Sequence, residues 1–226
     1  MATRIPYPSH RTAWVILLII AIAVAASLVT LLSVEDSVRL KQLIEDDGPV
    51  QGLGLLSVSI CLVLSLFYTL TDSQRRSSYL LLSYLLLFYT LREADYHYKL
   101  SEYAKATQFK RFFLHEQIPL SSKLFLATIV ILFLVALYRY LTTERQGFEL
   151  AVKQRLPWAL YSVGWGVCFG LSQLVDQIPL FHNVPGQVAE EVLEATAQVL
   201  ALVAMLMFRY QVYREKQAGI ALEASG

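Results

Sequence analysis

Long apolar stretches separated by short polar segments organise this chain, and six of them approach the roughly 20 residues needed to cross about 30 Å of hydrocarbon. They run from Trp14 to Ser33, Gln51 to Leu70, Ser78 to Tyr98, Lys123 to Leu141, Trp158 to Leu174, and Val188 to Phe208. The pattern predicts an all-α fold, a polytopic transmembrane helix bundle of six spans forming a single domain over residues 1–226. An even number of spans places both termini on one side. The first stretch has Arg4 and Arg11 ahead of it and a small-residue run, Ala23-Val24-Ala25, within it. Its apolar length exceeds the roughly 7 to 15 residues of a signal-peptide core, which predicts a retained anchor.

Sidedness follows from the basic residues. The segments at 1–13, 71–77, 142–157 and 209–226, with Arg139 at an adjacent helix end, carry 11 of the 19 Lys and Arg residues. The positive-inside rule makes that side cytoplasmic, and with it both termini. Trp14, Trp158, Tyr138, Tyr140 and Tyr210 stand at span ends, where amphipathic rings favour the interface.

Composition agrees with this picture. The chain of 226 residues is 56% apolar and 16% charged, with a mean hydropathy of +0.49, which excludes an ordinary water-soluble globule. A net charge of +1 removes the polyanion-binding signal of a nucleic-acid partner. Cys61 and Cys168 both fall inside apolar runs without metal-ligand spacing, so neither a disulfide framework nor a zinc knuckle is expected.

In lipid, helix association depends on close packing and on interhelical polar contacts, so small residues should mark contact faces. The fifth span carries Ser162, Gly166 and Gly170 at spacings of four, and the second carries Ser57, Cys61 and Ser65. Both stripes are expected to pack inward. No His lies within the apolar body of a span to activate Ser57 or Cys61 as a nucleophile.

On this topology 13 of the 18 acids lie outside, and many suit helix N-termini. Asp46-Asp47-Gly48-Pro49 reads as a capping turn before span two, and Glu190 and Glu191 as N-terminal residues of span six. Span three is different. Its uncharged run, Ser77 to Leu91, covers only about 22 Å at 1.5 Å per residue, so the helix must continue through Arg92-Glu93-Ala94-Asp95-Tyr96-His97 to cross. Glu93 and Asp95 then sit at the outer interface, at a helix end where the macrodipole opposes negative charge. Ionised groups at such depth are costly unless paired, and they often mark function.

Glu93 and His97 share a face at i, i+4, and Glu190 with Glu194 repeats the spacing on span six. Carboxylate and imidazole ligands on facing helices can hold a divalent metal ion such as zinc. The candidate ligands are Glu93, His97, Glu190 and Glu194, with Asp95 or Glu191 as general base, and His115 and His182 as outer-side candidates for a third ligand. A salt-bridge network through Arg92 and Lys99 is the structural alternative. The segment from Lys99 to Lys123 mixes aromatic residues with Lys99, Lys105, Lys110 and Arg111, a composition suited to a helix in the headgroup layer whose cations hold a lipid phosphate.

Glu45-Asp46-Asp47-Gly48, Arg92-Glu93-Ala94-Asp95-Tyr96-His97-Tyr98-Lys99 and Glu190-Glu191-Val192-Leu193-Glu194 together resemble motifs of a group of bacterial polytopic inner-membrane proteins. That resemblance implies a multi-pass protein of the bacterial inner membrane and no particular activity. More remotely, the layout is similar to the membrane hydrolase superfamily of alkaline ceramidases and adiponectin-type receptors, in which helices enclose zinc. That superfamily has seven helices and three His ligands, two in an HxxxH pair; this chain has six expected spans and no HxxxH.

Three functions are compatible with these residues. The first is a periplasm-facing metal site serving a metal-dependent hydrolase of a lipid or lipid-linked substrate. The second is an ion or small-solute transporter or channel using the same carboxylates, although the deeper halves of the spans lack the ionisable stations that an ion path needs. The third is a non-catalytic subunit docking a partner membrane protein, or a second copy of itself, through the acidic face.

Overall fold

The structure, a computed structural model, describes residues 10–44, 48–93, 113–114, 116, 118–181 and 183–223. All regular secondary structure among them is helical, as the apolar pattern requires. The elements are α1 (His10–Leu32), α2 (Ser37–Ile44), α3 (Pro49–Thr71), α4 (Arg76–Glu93), α5 (Leu120–Lys153), α6 (Pro157–Gln177) and α7 (Val184–Glu223), with 3-10 turns at Ser73–Arg75 and Pro179–Phe181. Five stretches among the described residues have the length and apolarity to cross a bilayer: Thr12–Leu32, Pro49–Thr71, Leu120–Lys153, Pro157–Gln177 and Val184–Gln217. The chain is thus built as an integral membrane protein. The expected third span corresponds to α4, whose 18 residues cover about 27 Å; its expected continuation to Tyr98 lies outside the described residues.

Two helices outrun their hydrophobic stretches. Residues 142–153, expected as a loop, complete α5, and 209–223 complete α7. The 40 residues of α7 extend about 60 Å, twice the hydrocarbon thickness. Hydropathy marks where lipid ends, whereas helix continues wherever nothing breaks it. On the extension of α7, Gln211 Nε2 donates to Glu215 Oε1 at 2.8 Å and Gln217 Nε2 to Tyr213 OH at 2.7 Å, both i, i+4 contacts.

The end of α5 is sharp. Leu156 N–H reaches back to Ala151 O at 2.9 Å and Arg155 N–H to Val152 O at 2.9 Å, with Arg155 at φ 54°. This is a Schellman closure with arginine where glycine is usual. Leu156 is then extended, as a residue before proline should be, and Pro157 opens α6.

The contacts gather into two compact units, Met1–Ser57 with Phe148–Gly226, and Val58–Gly147. In the first unit α7 carries a stripe spaced by four. Val188 and Val192 pack with Leu31, Leu40 and Ile44, while Leu200 and Ala204 pack with Ala13 and Tyr161. Tyr161 OH also donates to Ala13 O at 3.2 Å, which ties α6 to α1. Two glycines permit close approach. A Cβ on Gly54 would overlap Gln198 Oε1 and lie 3.3 Å from Ala195 Cα, and one on Gly164 would lie 3.3 Å from Leu200 Cδ1.

The expected inward packing of Gly166 and Gly170 does not occur among the described residues, whereas Ser162 is half-buried. Gly166 and Gly170 are exposed, and a Cβ on either would meet nothing within 4 Å. Spacing identifies a smooth helix face but not which face meets a neighbour, and here α6 uses Gly164 instead. Ser57, Cys61 and Ser65 are buried as expected.

The second unit is joined by hydroxyls. Ser65 Oγ donates to Tyr79 O at 2.9 Å, and Ser83 Oγ lies 2.9 Å from Ser65 Oγ and 2.8 Å from Tyr79 O. All three residues are buried, so α3 and α4 share a polar contact within an apolar surround. Phe88 stacks on Phe133 with centroids 4.4 Å apart, and the Ser78 hydroxyl donates to the Glu144 carboxylate, which adds α5 to the pair.

Candidate functional site

The carboxylates of α7 depend on where that helix starts. Asn183 provides the cap: its Oδ1 accepts Gly186 N–H at 2.9 Å, its backbone O accepts Gln187 N–H at 3.0 Å, and Pro185 occupies the first turn. A Cβ on Gly186 would strike Phe181 O, so the turn that brings the 3-10 segment back against the helix needs glycine there. Glu190 and Glu191 consequently lie well into α7, beyond its first turn. The expectation that they sit at the helix start is corrected. The macrodipole acts mainly over the first turn and does not account for them.

Glu190, Glu191 and Glu194 are half-buried on consecutive turns within the Val184–Gln217 stretch. Glu190 and Glu191 line a cleft of about 150 Å³ with Gln187 and Ile44, the latter at the end of α2. At roughly 30 Å³ per molecule, this is room for several waters. Leu40 and Ile44 hold α2 in place against Val188 and Val192, and Asp36 caps that helix by accepting Val38 N–H at 2.9 Å. Glu194, on the neighbouring turn, accepts a hydrogen bond from Gln173 Nε2 of α6 at 3.0 Å.

Of the residues singled out in the sequence, Glu190 and Glu191 line this cleft and Glu194 contacts Gln173. Glu93 is the last residue of α4. Asp95, His97, Lys99, Lys105, Lys110, Arg111, His115 and His182 lie outside the described residues, as do Glu45, Asp46 and Asp47. Among the described residues, no group of three His, Cys, Asp or Glu side chains is arranged to hold a metal ion. Glu190 and Glu191 both line the cleft, and Glu194 accepts the hydrogen bond from Gln173. Such a pair suits a cation that keeps much of its water, as magnesium does with one or two carboxylates. A closed zinc site would need four protein ligands.

Gln173 was not anticipated, and neither was Gln198, which is buried against α3. Their signal was available as neutral polar residues within apolar helices, which tend to face protein rather than lipid. The chain matches no family model, no curated protein and no solved structure.

Proposed function

We propose that this integral membrane protein binds a hydrated divalent cation through Glu190 and Glu191, and that the cation bridges to the phosphate of a lipid or lipid-linked substrate. The observation that carries this reading is the cleft itself: two half-buried carboxylates facing a volume of about 150 Å³. Carboxylate oxygens lining a cleft with room for several waters are the donors that a partly hydrated divalent cation takes. Phosphate is the complementary ligand because magnesium-type ions complete their shell with phosphate oxygens. In the hydrolytic form of this function, Glu190 and Glu191 would hold the cation, which would supply Lewis acidity toward a bound water, and the Glu191 oxygen not on the cation would accept that water's proton. Glu194 serves as a positioning residue that ties α7 to α6 through Gln173.

Cation binding to the folded state raises its stability, by about 2.7 kcal/mol at a hundred times Kd. Thermal unfolding of the full-length protein in detergent should therefore shift upward with magnesium or manganese. The shift should vanish in the Glu190→Gln, Glu191→Gln double variant and persist in Glu194→Gln. A wild-type protein indifferent to divalent cations would reject the reading and favour an acidic face that docks a partner.

A further inference from the structure

A second feature, independent of the carboxylate cleft, lies in the unit Val58–Gly147. An apolar groove of about 440 Å³ runs between α3 and α4, lined by Leu62 and Leu66 on one side and Leu80, Tyr84 and Leu87 on the other. Leu66, Leu80 and Leu87 are 47%, 56% and 44% exposed, so the groove opens outward. Ser83 also lines it, but its hydroxyl is turned to Ser65 and Tyr79.

The register along both helices continues from the groove to its polar end. On α4, Arg76, Leu80, Tyr84 and Leu87 follow spacings of four, four and three, one face of a helix; on α3, Leu62, Leu66 and Thr69 do the same. At that end Arg76 Nε donates to Thr69 O at 3.2 Å, a bond from α4 back to α3. Arg76 is exposed, and this bond commits Nε while fixing the plane of the guanidinium. An arginine at a membrane edge commonly just extends toward water. This one is instead held to the carbonyl of the facing helix, on the same stripe as the apolar wall.

We infer that this groove is a binding site for one anionic phospholipid, with an acyl chain along Leu62, Leu66, Leu80 and Leu87 and its phosphate on Arg76. Charge complementarity selects the occupant. The guanidinium is a planar donor suited to phosphate oxygens, and basic positions at the cytoplasmic ends of transmembrane helices meet the leaflet richest in anionic lipid. One basic residue near such a surface contributes about 1 kcal/mol, or roughly fivefold in affinity.

The test uses the full chain in detergent, equilibrated with equal amounts of phosphatidylglycerol and phosphatidylcholine bearing the same acyl chains and read by native mass spectrometry. One phosphatidylglycerol should be retained per chain, with about fivefold or greater preference over phosphatidylcholine. Arg76→Gln should remove the preference and Arg76→Lys should keep most of it. Leu66→Trp, at an exposed position in the groove, should reduce retention of both lipids, with helix content by circular dichroism unchanged in each variant. Equal binding of the two lipids by wild type, an undiminished preference in Arg76→Gln, or retention unaffected by Leu66→Trp would overturn the assignment. Equally strong retention of a free fatty acid, or a lipid-free dimer as the main species, would overturn it in favour of a different occupant.

Discussion

Gly54 gives the most direct test of how α3 meets α7. Replacing it by alanine adds one carbon that would overlap Gln198 Oε1, lie 2.9 Å from Gln198 Cδ and 3.3 Å from Ala195 Cα. Carbon atoms rest about 3.5 to 4.0 Å apart, so either the Gln198 side chain swings away or the helices separate by several tenths of an ångström. Gln198 is only 3% exposed, which leaves its amide little room to move. Overpacking of this kind costs about 1 to 3 kcal/mol, while replacing a helical glycine returns about 0.5 to 1 kcal/mol. The expected net loss is about 0.5 to 2 kcal/mol.

Gly52 provides the control on the same helix. A Cβ there meets nothing within 4 Å, so Gly52→Ala should be neutral or stabilising. Equilibrium unfolding of both variants in mixed micelles, followed by circular dichroism, should separate them by about 1 to 3 kcal/mol. Adding Gln198→Ala to Gly54→Ala should recover part of the loss, because the clash is then removed. Finding Gly54→Ala as stable as Gly52→Ala would refute the close approach.

Other substitutions probe separate parts of the fold. Ser83→Ala removes one hydroxyl from the buried contact with Ser65 and Tyr79 and should cost about 0.6 kcal/mol, and at most about 1.7, in the same unfolding assay; no loss would mean that the hydroxyls do not hold α3 to α4. Arg155→Gly should stabilise by about 1 kcal/mol, since the positive φ at that position strains any residue with a Cβ. Destabilisation there would show that the arginine side chain contributes more than its backbone costs.

The membrane character and the placement of most helices were legible from hydropathy because apolar length is a strong constraint in lipid. Helix ends were less so. Residues 142–153 and 209–223 read as polar loops, yet they continue α5 and α7, because charged residues favour water without disfavouring helix. The same confusion put the start of the last helix near Val188 and so made Glu190 and Glu191 look like N-terminal residues. The sequence Asn183-Val184-Pro185-Gly186 carried the better signal, a capping residue with proline and glycine in the first turn.

Pairing between helices was less legible still. Three carboxylates could be selected by residue type and spacing, but the engagement of Glu194 by Gln173 and the use of Gly164 in place of Gly166 and Gly170 depend on helix rotation. No repeat within one helix encodes that rotation. Attention to ionisable groups also passed over Gln173 and Gln198, whose amides are neutral and inexpensive enough to sit within apolar helices while still needing partners.

On the proposed reading, Glu190 and Glu191 together hold a cation. Electron paramagnetic resonance of manganese titrated into the full-length protein counts bound ions directly. One saturable ion per chain is expected, displaced by excess magnesium, absent in the Glu190→Gln, Glu191→Gln double variant and retained in Glu194→Gln. Manganese that stays free in the presence of folded wild type, or that binds equally to the double variant, would contradict it.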